Sequence, residues 1–299
     1  MMPGWPPGRR EIALVLACAA LASCGTGGPA VEPGPVRLTG DWLGQPAPGD
    51  RAARFAPGIV STGMYTRDLS ATPDGDEVYF TVMLPAFEFS TILFVRRDAD
   101  GVWGEPQVAP FSGSYRDLEP FVTPDGSKLL FVSFRPDDQR GEPSSESDVW
   151  VVDRSGDGWG DPRPLGVPVN TDGEEYFPST TRDGTLYFTR RRADGDEAIY
   201  RAEWRDERYA EPERLGPEVN AGRARFNAFV SPDERFLIVP IFGLDDSLGG
   251  TDYYVNFRTP DGHWTPPFHL GAAVNSESRL EYSASLSPDG RYLFFMSAR

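Results

Sequence analysis

Residues 119–133 read Glu-Pro-Phe-Val-Thr-Pro-Asp-Gly-Ser-Lys-Leu-Leu-Phe-Val-Ser, two short apolar runs joined by Pro124-Asp125-Gly126. Asp-Gly supplies the positive backbone angles that a tight hairpin turn needs. After the turn, apolar residues alternate at Leu130 and Val132, which is the period of a strand and not of a helix. The stretch therefore predicts a strand, a tight turn and a second strand.

This hairpin recurs along the chain. Its turns are Pro73-Asp74-Gly75, Pro124-Asp125-Gly126, Arg182-Asp183-Gly184, Pro232-Asp233-Glu234 and Pro288-Asp289-Gly290. Successive turn aspartates are 51, 58, 50 and 56 residues apart. Self-similarity at this period is typical of a repeat protein.

A second landmark, aromatic and proline-containing, follows the hairpin in four repeats. It reads Trp103-Gly-Glu-Pro106, Trp159-Gly-Asp-Pro162, Tyr209-Ala-Glu-Pro212 and Trp264-Thr-Pro-Pro267, and three copies continue into Leu-Gly and Val-Asn. One further strand lies between the landmarks, which gives four short strands per repeat. Four antiparallel strands repeated radially form a propeller blade. We predict an all-β propeller with five blades by repeat count, and six as the alternative, at about residues 67–112, 117–167, 175–217, 225–271 and 281–299.

These motifs resemble the WD-repeat-like (Pro-Asp-Gly repeat) β-propellers of TolB-type periplasmic proteins. The Ser-Pro-Asp-Gly run at residues 287–297, its copies and the Trp-x-x-Pro linkers carry the resemblance, which covers roughly residues 42–299. The resemblance implies the fold. Function does not follow from it, because propellers host many functions.

The N-terminus has the features of a secretory signal. Arg9-Arg10 precedes an apolar run over residues 12–21, followed by Leu21-Ala-Ser-Cys24. This ending resembles a bacterial lipobox, which implies a signal peptide over residues 1–23, cleavage before Cys24 and lipid attachment to that cysteine. Gly25 in place of aspartate implies, by the same resemblance, the outer membrane facing the periplasm. The alternative is an ordinary cleaved signal with an incidental cysteine.

Residues 24–41 are rich in glycine and proline and predict a flexible tether, followed by the propeller at residues 42–299. Residues 53–60 are similar to the fourth strand of a repeat, and we expect this strand to complete the last blade and close the ring. The chain stops two strands into the fifth repeat. Residues 36–43 supply the missing third strand, or the last blade is short, or the reading frame is truncated.

The longer loops fall on one face of the predicted propeller, at residues 84–90, 135–146, 170–174 and 243–251. Function tends to lie on long loops held by a rigid scaffold, so we predict that this face binds a ligand or partner. The candidate residues are Asp68, Glu119, Arg135, Arg140, Asp245 and Asp246. Asp68 and Glu119 are singled out because they face the channel without a matched arginine across the strand pair.

Three acids at the start of a repeat have an arginine at the matching end of the second strand. The predicted cross-strand pairs are Asp117 with Arg135, Glu175 with Arg192, and Glu281 with Arg299. We interpret them as structural ion pairs. The alternative is that some of these arginines bind an anionic ligand at the channel mouth.

The composition argues against several classes of function. A net charge of −16 disfavours nucleic acid as a partner. Two histidines on one hairpin give no triad, and no His/Cys cluster indicates zinc. The Asp-rich segments are explained by turns. We therefore predict no metal, no cofactor and no catalytic residue.

Two functions remain. The first is a non-enzymatic envelope lipoprotein, bound to the membrane through its lipid alone, whose propeller binds an envelope protein or a peptidoglycan-associated partner. The alternative is a glycosidase-like enzyme that uses channel carboxylates, with Asp68, Glu119, Glu175 and Glu281 as candidates. Two unpaired carboxylates about 5–10 Å apart in an open pocket would support the enzyme.

Overall fold

The computed structural model describes residues 37–136 and 146–299. The chain divides into two units, Met1–Val36 and Arg37–Arg299, and the described elements belong to the second. The predicted signal peptide, Cys24 and Arg140 lie outside the described residues. Within the described ranges, no helix has the length and apolar character needed to cross a bilayer.

Apart from two short 3₁₀ helices, Trp42–Gly44 and Pro85–Phe87, the regular elements of the described chain are β-strands. The first sheet has the antiparallel order Tyr65–Ala71, Glu77–Met83, Ser90–Arg96 and Gln107–Val108. The second has Asp117–Val122, Lys128–Ser133, Asp148–Ser155 and Arg163–Pro164, and Gly158–Trp159 extends its third strand as a hairpin.

The third and fourth sheets repeat this order. The third contains Glu174–Thr180, Leu186–Arg191, Glu197–Ala202 and Glu213–Arg214, with the small hairpin Trp204–Arg205 and Arg208–Tyr209. The fourth has an inner strand in two pieces, and comprises Ala224–Arg225, Phe229–Val230, Phe236–Phe242, Thr251–Phe257 and Phe268–His269. The fifth sheet is the hairpin Glu281–Leu286 and Leu293–Ser297.

Hydrogen bonds join the inner strands of neighbouring sheets into a ring. The Val122 N–H donates to Ser70 Oγ at 2.9 Å, which links the second sheet to the first. The fifth sheet returns to the first through Ser285 Oγ, which donates to the Leu69 carbonyl at 2.6 Å. The sheets are therefore the blades of a propeller, and the prediction of this fold is confirmed.

The closure of the propeller ring differs in one respect from the prediction made from the sequence. Residues 53–60 form no strand: they make a turn with a bridge between Pro57 and Ser61. Pro57 has no N–H for a ladder, and Gly58 has a positive φ of 86°. The segment instead packs a side chain on the last blade, with the ring of Phe55 4.9 Å from that of Phe294.

The last blade has two strands in the described chain. Leu38–Thr39 pairs with Val102–Trp103, at the outer edge of the first blade, and so does not supply a third strand to the fifth. Trp42 packs on the fifth blade, with its ring 5.1 Å from that of Phe294 and tilted relative to it. Residues on the N-terminal side of the first blade thus contact both the first and the fifth blades.

The recurrent sequence landmarks have structural roles within and between blades. Asn170 accepts from the Val149 N–H at 3.1 Å and donates to the Val149 carbonyl at 3.0 Å, and Asn220 and Asn275 make equivalent pairs. Trp159 Nε1 donates to the hydroxyl of Tyr79 in the preceding blade at 2.7 Å. The asparagines therefore hold the linkers against the strands, and the tryptophan links neighbouring blades.

Candidate functional site

Five residues with a left-handed backbone mark the inner strands at equivalent positions. They are Asp68, Glu119, Phe177, Asn227 and Ser283, with φ between 50° and 62°. In four blades they lie where the ladder shifts register, so that two inner-strand residues oppose one on the next strand. This conformation costs about 1 kcal/mol or more for a non-glycine residue. Because this conformation recurs from blade to blade, these residues lie at equivalent places around the centre of the ring.

Arg67 connects the residues at this centre. Its Nε lies 2.7 Å from the Asp68 carboxylate, and its Nη2 donates to Glu119 Oε1 at 2.5 Å and to Ser283 Oγ at 3.2 Å. The guanidinium also lies over the ring of Tyr282, 4.5 Å from its centroid. One cation therefore joins the first, second and fifth blades.

The remaining two blades complete the network. The Phe177 N–H of the third blade donates to Glu119 Oε2 at 2.6 Å, and Asn227 of the fourth donates to Ser283 Oγ at 3.3 Å. Arg67 and Glu119 are 9 % and 4 % exposed. We call Arg67, Asp68, Glu119, Asn227 and Ser283 the central network.

Burial and the ion pairs together set the charges of this network. Removal from water raises the pKa of Glu119 to about 7, with Asp68 acting in the same direction and Arg67 against it. Burial lowers the pKa of Arg67, but its attraction to Asp68 and Glu119 outweighs this, and the pKa is raised overall. The arginine stays charged while Glu119 titrates close to neutral pH.

A cavity of about 950 Å³ opens above the central network on the long-loop face. Arg67, Glu119 and Asn227 form polar lining at its base. Its other lining residues include Met64, Tyr65, Met83, Leu84, Pro85, Phe87, Tyr176, Glu197, Leu280 and Tyr282. We call this space the channel mouth. Its volume is that of a typical ligand site, and its lining combines apolar contact with a few convergent polar groups.

The rim of the channel mouth is apolar and exposed. Phe87 is 57 % exposed, and Met64, Leu84 and Leu280 are also among the exposed apolar side chains. Pro85–Phe87 holds this part of the rim in a 3₁₀ turn in which Ala86 and Phe87 have positive φ. The rim offers an apolar contact surface around a polar base.

Comparisons with known proteins bear on the fold. Neither a family model nor a curated protein matches the chain. A putative TolB from Agrobacterium tumefaciens superposes with a TM-score of 0.50 at 17 % identity, over 79 % of this chain and 71 % of that one. The chain has a TolB-like β-propeller fold. TolB from Acinetobacter baumannii gives a TM-score of 0.49 at 16 % identity, and the matched region, 78 % of this chain, spans about half of that protein's length, 49 %.

Within this TolB-like propeller, Asp68 and Glu119 meet at the centre but are not free of arginine. The prediction concerned a matched arginine across the strand pair, and the cation that contacts both carboxylates is Arg67. Arg67 is instead the chain neighbour of Asp68 and crosses a blade boundary to reach Glu119.

Asp117 and Arg135 are brought together inside the second blade. Arg135 Nη2 lies 2.8 Å from Asp117 Oδ1, and both side chains are buried. Asp117 stands opposite Ser133 in the ladder, so Arg135 reaches back from two residues further along. Arg135 also donates to the Phe111 carbonyl at 2.9 Å and lies over Trp150. It is therefore not part of an exposed binding surface, contrary to the prediction.

Glu175 is not brought to Arg192. The residue opposite Glu175 in the ladder is Arg190, whose Nε lies 2.8 Å from Glu175 Oε1. Thr171 Oγ1 donates to the same oxygen at 2.6 Å. The predicted pair is corrected to Glu175–Arg190, since the position opposite the acid is an arginine here and a serine in the second and fifth blades. Arg192 is exposed.

Glu281 and Arg299 are neighbours in the fifth blade, with Arg299 Nη2 3.7 Å from Glu281 Oε1. Ser276 and Ser297 supply shorter contacts to the buried carboxylate. Asp245 and Asp246 lie on the exposed loop after the fourth blade's second strand, and Asp246 accepts from the Tyr254 hydroxyl at 2.8 Å. Neither aspartate lines the channel mouth.

Sequence reasoning did not identify Arg67, Phe87 or the phenols of Tyr65, Tyr176 and Tyr282. One signal was present, because Arg67 directly precedes a channel-facing acid. The tyrosines carry no pattern that separates them from core aromatics. Among the described residues, no group of His, Cys, Asp and Glu side chains is placed to hold a metal ion.

Proposed function

We propose that this propeller is a non-enzymatic binding protein of the bacterial envelope, anchored through a lipid on Cys24, and that the channel mouth receives an envelope protein or a peptidoglycan-associated partner. One observation carries the proposal. Arg67 holds both channel carboxylates, Asp68 and Glu119, in an internal network, while the rim above them stays apolar and exposed.

The apolar rim supports binding of a macromolecular surface. Contiguous exposed apolar side chains on a protein surface mark interaction sites. Phe87, Leu84, Met64 and Leu280 belong to one cavity edge and not to scattered positions. A partner that covers them removes this surface from water, and its polar groups reach the base of the channel mouth.

The glycosidase alternative requires two carboxylates that flank a substrate. Glu175 and Glu281 are fully buried, and each accepts several hydrogen bonds within its own blade. Asp68 and Glu119 share Arg67. The carboxylates proposed from the sequence are thus engaged in the fold, which favours binding over catalysis.

One observation keeps the enzyme as the second candidate. Glu119 has a pKa of about 7 and lines the channel mouth together with Glu197, which accepts from the Tyr176 hydroxyl at 2.5 Å. Glycoside hydrolysis uses two carboxyl groups in one cavity, and the one that acts as general acid has a raised pKa. Hydrolysis of cell-wall glycan fragments that disappears in Glu119→Gln would favour the enzyme.

The binding proposal is tested by placing a photo-cross-linking amino acid at Phe87 in the producing cells. The matched control carries it at Phe268, an outer-strand residue that is 53 % exposed against 57 % for Phe87. We expect a defined cross-linked product at position 87 that is missing at position 268. The same products at both positions, or none at 87, would refute binding at the channel mouth.

A further inference from the structure

A second cavity, of about 350 Å³, lies between the second and third blades on the side of the tight turns. Its apolar wall is the buried Leu130, Val151 and Val169. It shares no lining residue with the channel mouth. We call it the interblade cavity. Three of its lining residues depart from the repeat in ways that core packing does not explain.

Thr180 is the first departure. It is 2 % exposed, and within the described chain its Oγ1 is a buried atom without a hydrogen-bond partner. The residues at the same distance before the turn in the other four repeats are apolar: Ala71, Val122, Val230 and Leu286. A buried hydroxyl without a partner destabilises a fold by about 1–3 kcal/mol. A polar atom at this position thus works against folding and points to a role in binding.

Arg182 is the second departure. The other repeats have proline at this turn position, at Pro73, Pro124, Pro232 and Pro288. The Arg182 N–H donates to the Pro232 carbonyl at 2.7 Å, which fixes the turn, while the side chain is exposed at the cavity. Neither Arg182 nor Arg208, a second lining residue, forms an ion pair within the described part of the chain.

Trp204 is the third departure. It stands opposite Tyr209, and the corresponding position opposite the recurrent tryptophan of the other hairpins is an arginine. Those pairs are Arg97 with Trp103, Arg154 with Trp159, and Arg258 with Trp264. The Trp204 and Tyr209 rings are 4.8 Å apart and edge to face. The third blade therefore has an indole ring at the cavity, at a hairpin position that is an arginine in the other three blades.

The charges around the cavity favour an anion. Arg182, Arg208, Lys128 and Arg163 are its cationic lining residues, in a chain with a net charge of −16. Lys128 and Arg163 are paired with Asp153. The acidic lining residues are Asp125, Asp183 and Glu207, one fewer than the cationic ones. The two aspartates accept hydrogen bonds within their own turns, and Glu207 is exposed. Arg182 and Arg208 are thus the cations available to a ligand.

We propose that the interblade cavity binds a small organic anion with a flat apolar body. Its carboxylate contacts Arg182 and Arg208, its body packs between Trp204 and the apolar wall, and a polar atom meets Thr180 Oγ1. A guanidinium matches a carboxylate in geometry and charge, and the cavity volume falls within the range of small-molecule sites. This site is separate from the channel mouth and does not depend on its function.

The test uses the secreted full chain with Cys24→Ser, so that no detergent is needed, and 2-naphthoate as the probe in calorimetric titration. We expect saturable binding, at least fivefold weaker binding in Thr180→Val and in Arg182→Gln, and at least fivefold weaker binding of uncharged 2-naphthamide. Arg235→Gln is the matched control, because the Arg235 side chain is 81 % exposed and lies outside the cavity.

Thr180→Val also separates binding from folding. The substitution keeps the side-chain shape and removes a hydroxyl that has no partner, so the melting temperature should equal or exceed that of the parent. Absence of saturable 2-naphthoate binding to the parent chain would overturn the proposal. Unchanged affinity in both Thr180→Val and Arg182→Gln would overturn it as well.

Discussion

Arg67 Nη2 lies 2.5 Å from Glu119 Oε1, and this contact joins the first and second blades at the axis of the propeller. The same guanidinium contacts Asp68 and Ser283, so one residue of the first blade touches its neighbours on both sides of the ring. A buried cation with two carboxylates is an arrangement that fixes geometry. The two acids that a catalytic channel would need are therefore engaged in a structural contact between blades.

Replacement of Arg67 by methionine should destabilise the propeller by about 3–5 kcal/mol, because it leaves Asp68 and Glu119 buried without their cation. Urea unfolding measures the change. The control is Arg235→Met, an exposed arginine whose loss should alter stability by no more than about 0.5 kcal/mol. A loss under about 1 kcal/mol for Arg67→Met would show that the central network contributes little to stability.

Glu119 should make the propeller less stable as pH rises from about 4.5 to about 7. Its pKa is raised in the folded state, so the folded chain binds more protons than the unfolded chain in this window, and stability falls with increasing pH. The full contribution is present below about 4.5 and is lost above about 7. At about 1.4 kcal/mol per pKa unit, it amounts to a few kcal/mol at most.

The measurement is the free energy of unfolding against pH for the parent and for Glu119→Gln. The parent minus variant difference should fall between pH 4.5 and 7 and stay flat above. A difference that is constant over this range would show that Glu119 does not titrate there.

Arg135→Glu should unfold or strongly destabilise the second blade, because it places a second carboxylate beside the buried Asp117. Arg192→Glu is the matched control, at the equivalent position of the third blade, where the arginine is exposed. We expect a fall in melting temperature of more than 10 °C for the first variant and of less than 2 °C for the second. Equal shifts would contradict the assigned role of Arg135.

Cys24→Ser should release the protein from the membrane fraction if the cysteine carries the lipid. A lipid chain contributes about 0.8 kcal/mol per buried CH₂, and its loss removes the anchor without touching the propeller. Cell fractionation with metabolic labelling by a fatty acid measures both effects. Cys18→Ser, inside the predicted signal peptide, is the control and should leave both unchanged. A labelled, membrane-bound Cys24→Ser protein would exclude the lipobox interpretation.

The repeat made the fold predictable, because the Asp-Gly turns and alternating apolar residues specify hairpins locally. The bulges at Asp68 and Glu119 were not predictable, since one extra residue in a strand leaves apolar alternation almost intact. Arg67 was missed because it acts between blades, and spacing within one hairpin carries no information on that. The segment at residues 53–60 shows the same limit, where Pro57 and Gly58 outweighed a strand-like pattern.

The unusual residues of the interblade cavity are visible in the sequence when the repeats are aligned position by position. Thr180, Arg182 and Trp204 each break a pattern that the other copies keep. Each residue alone reads as ordinary variation. Their convergence on one cavity depends on packing between blades, which the sequence does not display.

The binding account is tested most directly by recovery of cross-linked partners from native membranes with Phe87→Asp and with Phe268→Asp. Each substitution places a charge at an exposed phenylalanine, one on the rim of the channel mouth and one on an outer strand. The account predicts at least tenfold lower recovery of a specific partner with Phe87→Asp and unchanged recovery with Phe268→Asp. Equal recovery with the two variants would contradict it.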